Sequence, residues 1–535
     1  MSRPAFRIRS AVAAALLGVV GVSALTLSLP AEAQAKKSLV LAMGAEPEDG
    51  FDPIKGWGEH GPLLFQSTLL KRDADLKLVA DLATDWSVSA DRLRWTVKLR
   101  PGVKFSDGHP LTAKDVKFTY DTAKNAAGTL DLTFMDRVDT PDDQTVVFVL
   151  KTPRITFVQM MVSLGILPAH AYGANYAKAP LGSGPFQFVS MTPGQQVIMA
   201  PNPHYYGTRS PFERITWLFT GEDATFAAAR SGQLDVAAVP PALGKEVPAG
   251  MKRLAAKTVD NRGLAFPMQP VTGRKTEKGA PIGNPVTSDP AIRQAINIAV
   301  DRKKLAEGAL NGFATPAWGV ADGLAWDNPA ARLPDGDLAG AKALLAKAGW
   351  RDSDGDGVLE KNGVPARFTL LYPAGRQERQ ALALAVADMV RPLGIRIEPS
   401  GKSWDEIMPQ AHSMPVVFGW GSHDPLEIAQ LYHGSNAGKG FYNTGFYDNP
   451  VVNQHLDAAQ KSASFEASIP HWKNAMWDGK TGFGMRGDAA WAWLVNLDHV
   501  YFVSNCLDIG PRQIEPHGHG LPIAWNLETW KWTCR

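Results

Sequence analysis

Apolar and polar positions alternate or cluster over short spans along most of the chain, and the period of the pattern changes repeatedly. Leu39-Val40-Leu41-Ala42 is an unbroken apolar run, as in a strand buried on both faces. Trp95-Thr96-Val97-Lys98-Leu99 alternates like a half-buried strand and stops at the turn Pro101-Gly102. Thr145–Leu150, Phe186–Val189, Trp217–Thr220, Phe368–Tyr372, Ile395–Glu398 and Val416–Trp420 read as further strands, and Gln233–Val236 leads into another. Helical spacing appears at Leu63–Leu70, Ala224–Arg230, Ala339–Ala348 and Glu378–Val390, and most clearly from Asp289 through Ile292, Ala295, Ile296 and Val300. Thr112 with Asp115 three residues on predicts a capped helix start. Gly182-Ser183-Gly184-Pro185 is a hinge-like breaker before a strand. Strands and helices mixed in changing order predict an α/β protein.

The first 35 residues carry a different pattern. Arg3, Arg7 and Arg9 precede an apolar stretch from Ala11 to about Leu27, and Pro30-Ala31-Glu32-Ala33-Gln34-Ala35 follows with small residues suitably spaced for cleavage. This is the layout of a secretory signal peptide, residues 1–35, cut after Ala33 or Ala35. An N-terminal membrane anchor is the alternative, but the stretch is short for a span and ends in a cleavage pattern. No cysteine lies at the junction to carry a lipid, so the expectation is a periplasmic protein without a lipid anchor. No later stretch approaches the ~18 apolar residues of a transmembrane helix.

A chain of 535 residues exceeds what one core normally supports, so at least two lobes are expected. The formal net charge of +2, with no long basic run, argues against nucleic acid as a partner. Cys506 and Cys534 are the only cysteines. An oxidising compartment permits a disulfide between them, although spacing alone does not show that the sulfurs meet. Phosphate-loop, His-Glu-x-x-His and Gly-x-Ser-x-Gly motifs are absent, so no catalytic residue is assigned.

Several blocks carry a family resemblance. Leu82-Ala83-Thr84-Asp85-Trp86 is followed by Trp95 through Gly108, then by Asp115-Val116-Lys117-Phe118-Thr119-Tyr120. Gly182-Ser183-Gly184-Pro185-Phe186, Asn202-Pro203-His204-Tyr205-Tyr206, Ala229–Asp235 and Ile292–Ile296 with Asp301-Arg302 continue the series. In this order they resemble the extracytoplasmic solute-binding proteins, family 5, of peptide and nickel ABC importers. The resemblance implies a two-lobed periplasmic binding protein fold of type II, with an extra N-terminal subdomain and a ligand cleft between the lobes. By analogy, lobe I holds 36–70, 180–265 and 497–535, the subdomain 71–179, and lobe II 266–496. It further implies a monomeric binding protein, not an enzyme, that needs no cofactor and serves an ABC permease and ATPase at the inner membrane.

Peptide-binding relatives share a loop after a Trp-bearing strand, in which an Asp grips the peptide's α-amino group. Here the loop reads Gly419-Trp420-Gly421-Ser422-His423-Asp424-Pro425 and is shorter, with Ser422 or His423 near the place of that Asp, while Asp424 remains able to fill it. An ammonium without a carboxylate partner loses a charge-assisted hydrogen bond. His517-Gly518-His519-Gly520 places two imidazoles on one face if the segment is extended, about 7 Å apart. His60, in a glycine-rich loop, and His423 are further candidate ligands. Gly56-Trp57-Gly58, Phe65–Leu70, Trp477–Phe483 and the His517-Gly518-His519-Gly520 segment resemble the nickel-import subgroup. Imidazole suits Ni(II), Cu(II) and Zn(II), so the cargo read from these residues is nickel or a nickel chelate such as nickel-histidine. Its metal ligands would come from His60, His423, His517 and His519, with Trp57, Trp420, Ser422 and Asp424 against the organic part. The plainer alternative makes these loop histidines surface or structural residues and the two tryptophans packing residues. A peptide or other organic solute on the same fold is the competing cargo. The other eight histidines, His109, His170, His204 and His499 among them, read as structural.

Asp352-Ser353-Asp354-Gly355-Asp356-Gly357 begins like a calcium loop, but position twelve is Gly363 and Pro365 follows where a helix is needed. The segment therefore reads as a polar turn, with Asp352, Asp354 and Asp356 at most a weak Ca²⁺ site.

Overall fold

The computed structural model describes residues 36–47, 49–59, 61–126, 131–518 and 521–534. The signal segment, His60 and His519 lie outside the described residues. The apolar run at Leu39 forms the strand Ser38–Ala42 in the middle of a seven-stranded sheet. Its neighbours Arg214–Leu218 and Val236–Val239 both run parallel to it. A central parallel strand is covered on both faces, so Leu39, Leu41 and Ala42 are fully buried. Antiparallel strands complete the sheet, Gln196–Pro201 and Phe186–Thr192 on one side, His499–Ser504 and Met251–Ala256 on the other.

A second, six-stranded sheet has the order Ala314–Pro316, Trp491–Leu497, Asn261–Ala265, Val416–Trp420, Arg367–Pro373 and Arg396–Lys402. The amphipathic run after Asp289 is the helix Pro290–Ala299, and the Asp289 carboxylate accepts the Ala291 N–H at 2.9 Å. Its apolar stripe, Ile292, Ala295, Ile296 and Ala299, enters the core beneath this sheet with Leu382 and Val386 of the helix Gln377–Val390. Between the first strands of the chain and the rest of the first sheet is a four-stranded antiparallel sheet: Ala83–Val88, Arg94–Leu99, Thr145–Leu150 and Met135–Asp142. The helix Ala113–Asn125 packs on it and starts with the capping box of Thr112 and Asp115. Mixed α/β sheets in two lobes, with this subdomain on the first, are the architecture.

The chain crosses between the two large sheets twice. One crossing is Lys257–Asp260, the other is the single residue Asp498 between Trp491–Leu497 and His499–Ser504. The two run side by side: Leu497 N donates to the Asp260 carbonyl at 2.8 Å, and Lys257 Nζ lies 2.8 Å from Asp498 Oδ2. This corrects the boundary drawn at 265. Asn261–Ala265 pairs with Val416–Trp420 and Trp491–Leu497, and so belongs to the second lobe.

Two local readings also change. Leu63–Leu70 is not a helix. Leu64, Phe65, Leu69 and Leu70 are buried, but so are Gln66, Ser67 and Thr68, because the segment threads through the core in irregular form. Its carbonyls are taken by neighbouring chain, Phe65 O by Gly184 N at 2.8 Å and Ser67 O by Ile166 N at 2.9 Å. Gly182–Pro185 is not a connection between the lobes; it leads from the subdomain into Phe186–Thr192. Glycine is required there because a Cβ on Gly182 would stand 2.1 Å from the Phe65 carbonyl oxygen. Cys506 and Cys534 form a disulfide, Cα–Cα 5.0 Å, which ties the paired strands Leu507–Asp508 and Lys531–Trp532 at the end of the first lobe. Among the described residues no helix is long and apolar enough to cross a membrane.

Candidate functional site

A cavity of about 400 Å³ opens between segments of both lobes and the subdomain. The first lobe contributes Gly58, Glu59 and Gly61–Thr68, excepting Phe65, together with Gln513, Pro516 and Trp525. The subdomain contributes Lys71, Arg72, Gln159 and Ser163, and the second lobe Trp420, Ser422–Asp424, Glu427, Gln430 and Tyr442. The strand Val416–Trp420 ends at the cavity, so the loop after it projects Ser422, His423 and Asp424 into the cleft. Glu427 holds that loop from behind, accepting the N–H groups of Gly421 at 3.0 Å and Ser422 at 3.2 Å. From the first-lobe side, His517 N donates to the Gly421 carbonyl at 2.7 Å.

Trp420 stacks on Tyr442, centroids 4.8 Å apart, and Tyr442 donates its hydroxyl to Glu59 Oε1 at 3.0 Å. This makes an aromatic wall that one lobe presents and the other anchors. Arg72 donates to the Leu76 carbonyl at 3.0 Å and to Gln159 Oε1, which fixes the guanidinium at the cleft. Burial lowers its pKa, while the charge of Asp424 acts against that shift. The Asp424 carboxyl is pushed up to about 7, first by burial, with the Leu426 N–H and Arg72 offsetting part of the effect. Burial likewise pushes Glu427 up to about 8, against the two backbone donors it holds. Asp81 is also raised by burial, and it accepts from Tyr206 Oη at 2.6 Å and from Thr68 N at 3.2 Å. Six acidic residues line the cavity (Glu59, Asp73, Asp81, Asp424, Glu427 and Glu528) against two basic ones, Lys71 and Arg72. A wall with that imbalance favours a cationic guest.

The residues singled out in the sequence separate into three groups. Trp420, Ser422, His423 and Asp424 stand together on the cleft. Trp57 does not line it. Its ring is 6% exposed and packs edge-on against Phe51 and beside Trp217, in the aromatic core under the first sheet, because its loop folds back onto that core. His517 is also buried, at the crossing between lobes and next to the cleft-lining Pro516. Its Nδ1 pairs with Asp260, whose carboxylate also takes Arg262 and, at 2.8 Å, His499 Nε2. Glu515 closes the cluster, accepting from His499 Nδ1 at 2.8 Å, Tyr501 Oη at 2.7 Å and Arg512 at 2.9 Å. His60 and His519 lie outside the described residues, although Glu59 and Gly61 line the cleft.

Arg72, Glu59, Glu427 and Tyr442 were not anticipated. Each is a common residue type in unremarkable sequence, and only the fold brings their four segments to one cavity. At Asp352–Glu360 the carboxylates of Asp352, Asp354, Asp356 and Glu360 lie within 4.8 Å of one another and accept N–H groups of their own turn, among them Gly355, Asp356 and Val358.

Residues 77–443 match the family model described as bacterial extracellular solute-binding proteins, family 5 Middle. The chain is 32% identical over 501 residues to Protein XP55 of Streptomyces lividans, with 90% of this chain and 88% of that protein covered. It is 28% identical to the oligopeptide-binding protein AppA of Bacillus subtilis, over 84% of this chain and 88% of that protein. In fold it is similar to NikZ of Campylobacter jejuni, a crystal structure in complex with Ni(L-His). There the TM-score is 0.82 and the identity 22%, with 93% of this chain and 99% of that one covered.

Proposed function

The chain belongs to the bacterial extracellular solute-binding proteins, family 5, and from that premise we propose that its cargo is nickel(II) carried as a small chelate such as nickel-histidine. Proteins of this family are transport binding proteins, not enzymes, and deliver their ligand to an ABC permease and ATPase. Capture would take place in the periplasm, with residues 1–35 removed as an export signal, and closure of the two lobes about their crossings would present the loaded form. The observation that carries the nickel reading is the cleft itself: an imidazole, His423, beside a surplus of carboxylates in a cavity sized for a compact complex. A cation held in a chelate satisfies the surplus, and imidazole is a suitable donor for nickel. His517, buried beside the cleft with its Nδ1 on the Asp260 carboxylate, is kept in the proposed donor set because a carboxylate on the other ring nitrogen is how metal-binding histidines are commonly oriented. His60 and His519 complete the proposed donor set, and Trp420, Ser422 and Asp424 would meet the organic part.

Calorimetry on metal-free protein with Ni(II), with and without free L-histidine, tests this. Binding that is lost in His423→Ala is the expected result, and no heat in either condition at micromolar protein sinks the proposal. A second reading rests on Asp424, a carboxylate in the same wall able to hold a peptide's ammonium group. Native mass spectrometry separates the two, because a bound peptide adds mass without a nickel isotope pattern.

A further inference from the structure

Three histidines read from the sequence as structural converge on one surface turn of the first lobe and its subdomain. The turn Phe105–His109 closes on itself, with Phe105 N donating to the His109 carbonyl and Gly108 N to the Phe105 carbonyl, both at 2.9 Å. Asp107 lies at its tip, and its Oδ1 accepts the His109 N–H at 3.1 Å, which fixes the carboxylate. Its Oδ2 is met by two imidazoles, His109 Nδ1 at 3.0 Å and His170 Nε2 at 2.8 Å. The two rings stack, centroids 4.2 Å apart and 29° between planes, and Phe105 packs edge-on against His170. The donor atoms of Asp107, His109 and His170 all lie within 4.8 Å of one another.

Both imidazoles are aimed at the same carboxylate oxygen, so each must place its proton there when no cation is present. A metal ion takes the place of those two protons and receives three lone pairs that already converge. Zinc-to-nitrogen bonds of about 2.0–2.1 Å put adjacent tetrahedral donors about 3.3 Å apart, a small opening of the two Asp107–imidazole separations of 3.0 and 2.8 Å. Packing and hydrogen bonds hold all three side chains in register before any ion arrives, which lowers the cost of ordering them. The side chains of His109, His170 and Asp107 are 61%, 32% and 27% exposed, so no entry path is needed. Gly108 has φ +90° and no side chain, and a Cβ built there would stand 3.5 Å from His204 Nε2. A third imidazole thus borders the same turn. Two imidazoles and one carboxylate suit Ni(II), Cu(II) or Zn(II), with positions left for water, and poorly suit the oxygen-seeking Ca²⁺ and Mg²⁺.

We propose that Asp107, His109 and His170 form a surface site for a borderline divalent transition-metal cation, separate from the ligand cleft. The site does not depend on what the cleft carries. It is tested with Zn(II) by equilibrium dialysis of the full-length mature protein, followed by elemental analysis for zinc per chain. The His109→Ala/His170→Ala double variant should hold one zinc fewer than the parent, and His423→Ala should leave this difference unchanged. His109→Gln/His170→Gln keeps amide donors toward Asp107 and guards against loss of folding, which thermal unfolding monitors. It should lose the same zinc. Equal zinc content in the parent and in either folded double variant overturns the proposal. Because the readout is the difference between parent and variant, it survives failure of the nickel reading for the cleft.

Discussion

Asp260→Ala removes the shared acceptor of a buried cluster of charged side chains. The carboxylate is fully buried at the crossing between lobes and accepts from Arg262, His499 and His517. Its pKa is held well below the usual carboxylate range; burial acts to raise it and is outweighed by Arg262, His517 and His499. Removing one member of such a cluster strands buried charge and costs about 3–5 kcal/mol. The proton on His499 gives a second route to the magnitude. Burial opposes the charged ring, but the hydrogen bonds to Asp260 and Glu515 prevail and hold its pKa at about 9, against 6.5 for an ordinary histidine. That difference corresponds to about 3 kcal/mol. Because the folded pKa is the higher one, this stabilisation is complete below about pH 6.5 and is lost as pH rises through about 9. Urea unfolding followed by tryptophan fluorescence at pH 6.5, 8 and 9.5 is the assay. The parent should weaken steadily across that range; Asp260→Ala should start some 3–5 kcal/mol lower and show a flatter pH dependence. A loss below about 1 kcal/mol with the parent's pH slope intact would refute the account of the cluster.

Two further outcomes follow from the fold and the cleft. Replacing Cys506 and Cys534 by Ser opens a loop with a sequence separation of 28 and should cost about 3–4 kcal/mol of stability, read as a lower urea midpoint; an unchanged midpoint contradicts it. Asp424→Asn should raise the thermal midpoint of the ligand-free protein above pH 7 and leave it almost unchanged near pH 4. The folded carboxyl titrates near 7, so the destabilisation from burying its charge is absent below the unfolded value of 3.8 and complete only above 7. A midpoint unaffected at pH 8 would show that Asp424 is well solvated.

Local chemistry carried much of the fold in readable form. Val416–Trp420 forms the strand its apolar run predicts, Thr112 and Asp115 make the capping box that their spacing announces, and Asp289 caps the helix its position implies. Each rests on neighbours within one turn or one strand. Leu63–Leu70 misled for the converse reason. Its spacing fits a helix, but Gln66, Ser67 and Thr68 are buried with the leucines, and their partners lie in other segments: Phe51 and Tyr176 for Gln66, Ile166 and Ser183 for Ser67, and Asp81 for Thr68. The boundary at 265 slipped because analogy places a lobe edge without knowing which sheet completes a strand's hydrogen bonds.

The cleft shows the same limit in sharper form. The loop Ser422-His423-Asp424 stood out because its residue types depart from a pattern within one segment. Arg72, Glu59 and Tyr442 had no such pattern, and Trp57 stood out for a conspicuous motif whose ring the core then absorbed. Charge is what the segments share once assembled. The chain as a whole has a formal net charge of +2, yet acids outnumber bases around the cavity by six to two. That local reversal cannot come from composition, and burial pushes the Asp424 and Glu427 carboxyls toward protonation. A positively charged guest beside these carboxyls favours their ionised forms. Binding a cation should therefore lower both pKa values and release protons. A nickel chelate titrated near pH 7 in two buffers of different ionisation enthalpy should show a buffer-dependent heat, and equal heats in the two buffers would mean that these carboxylates do not face the guest.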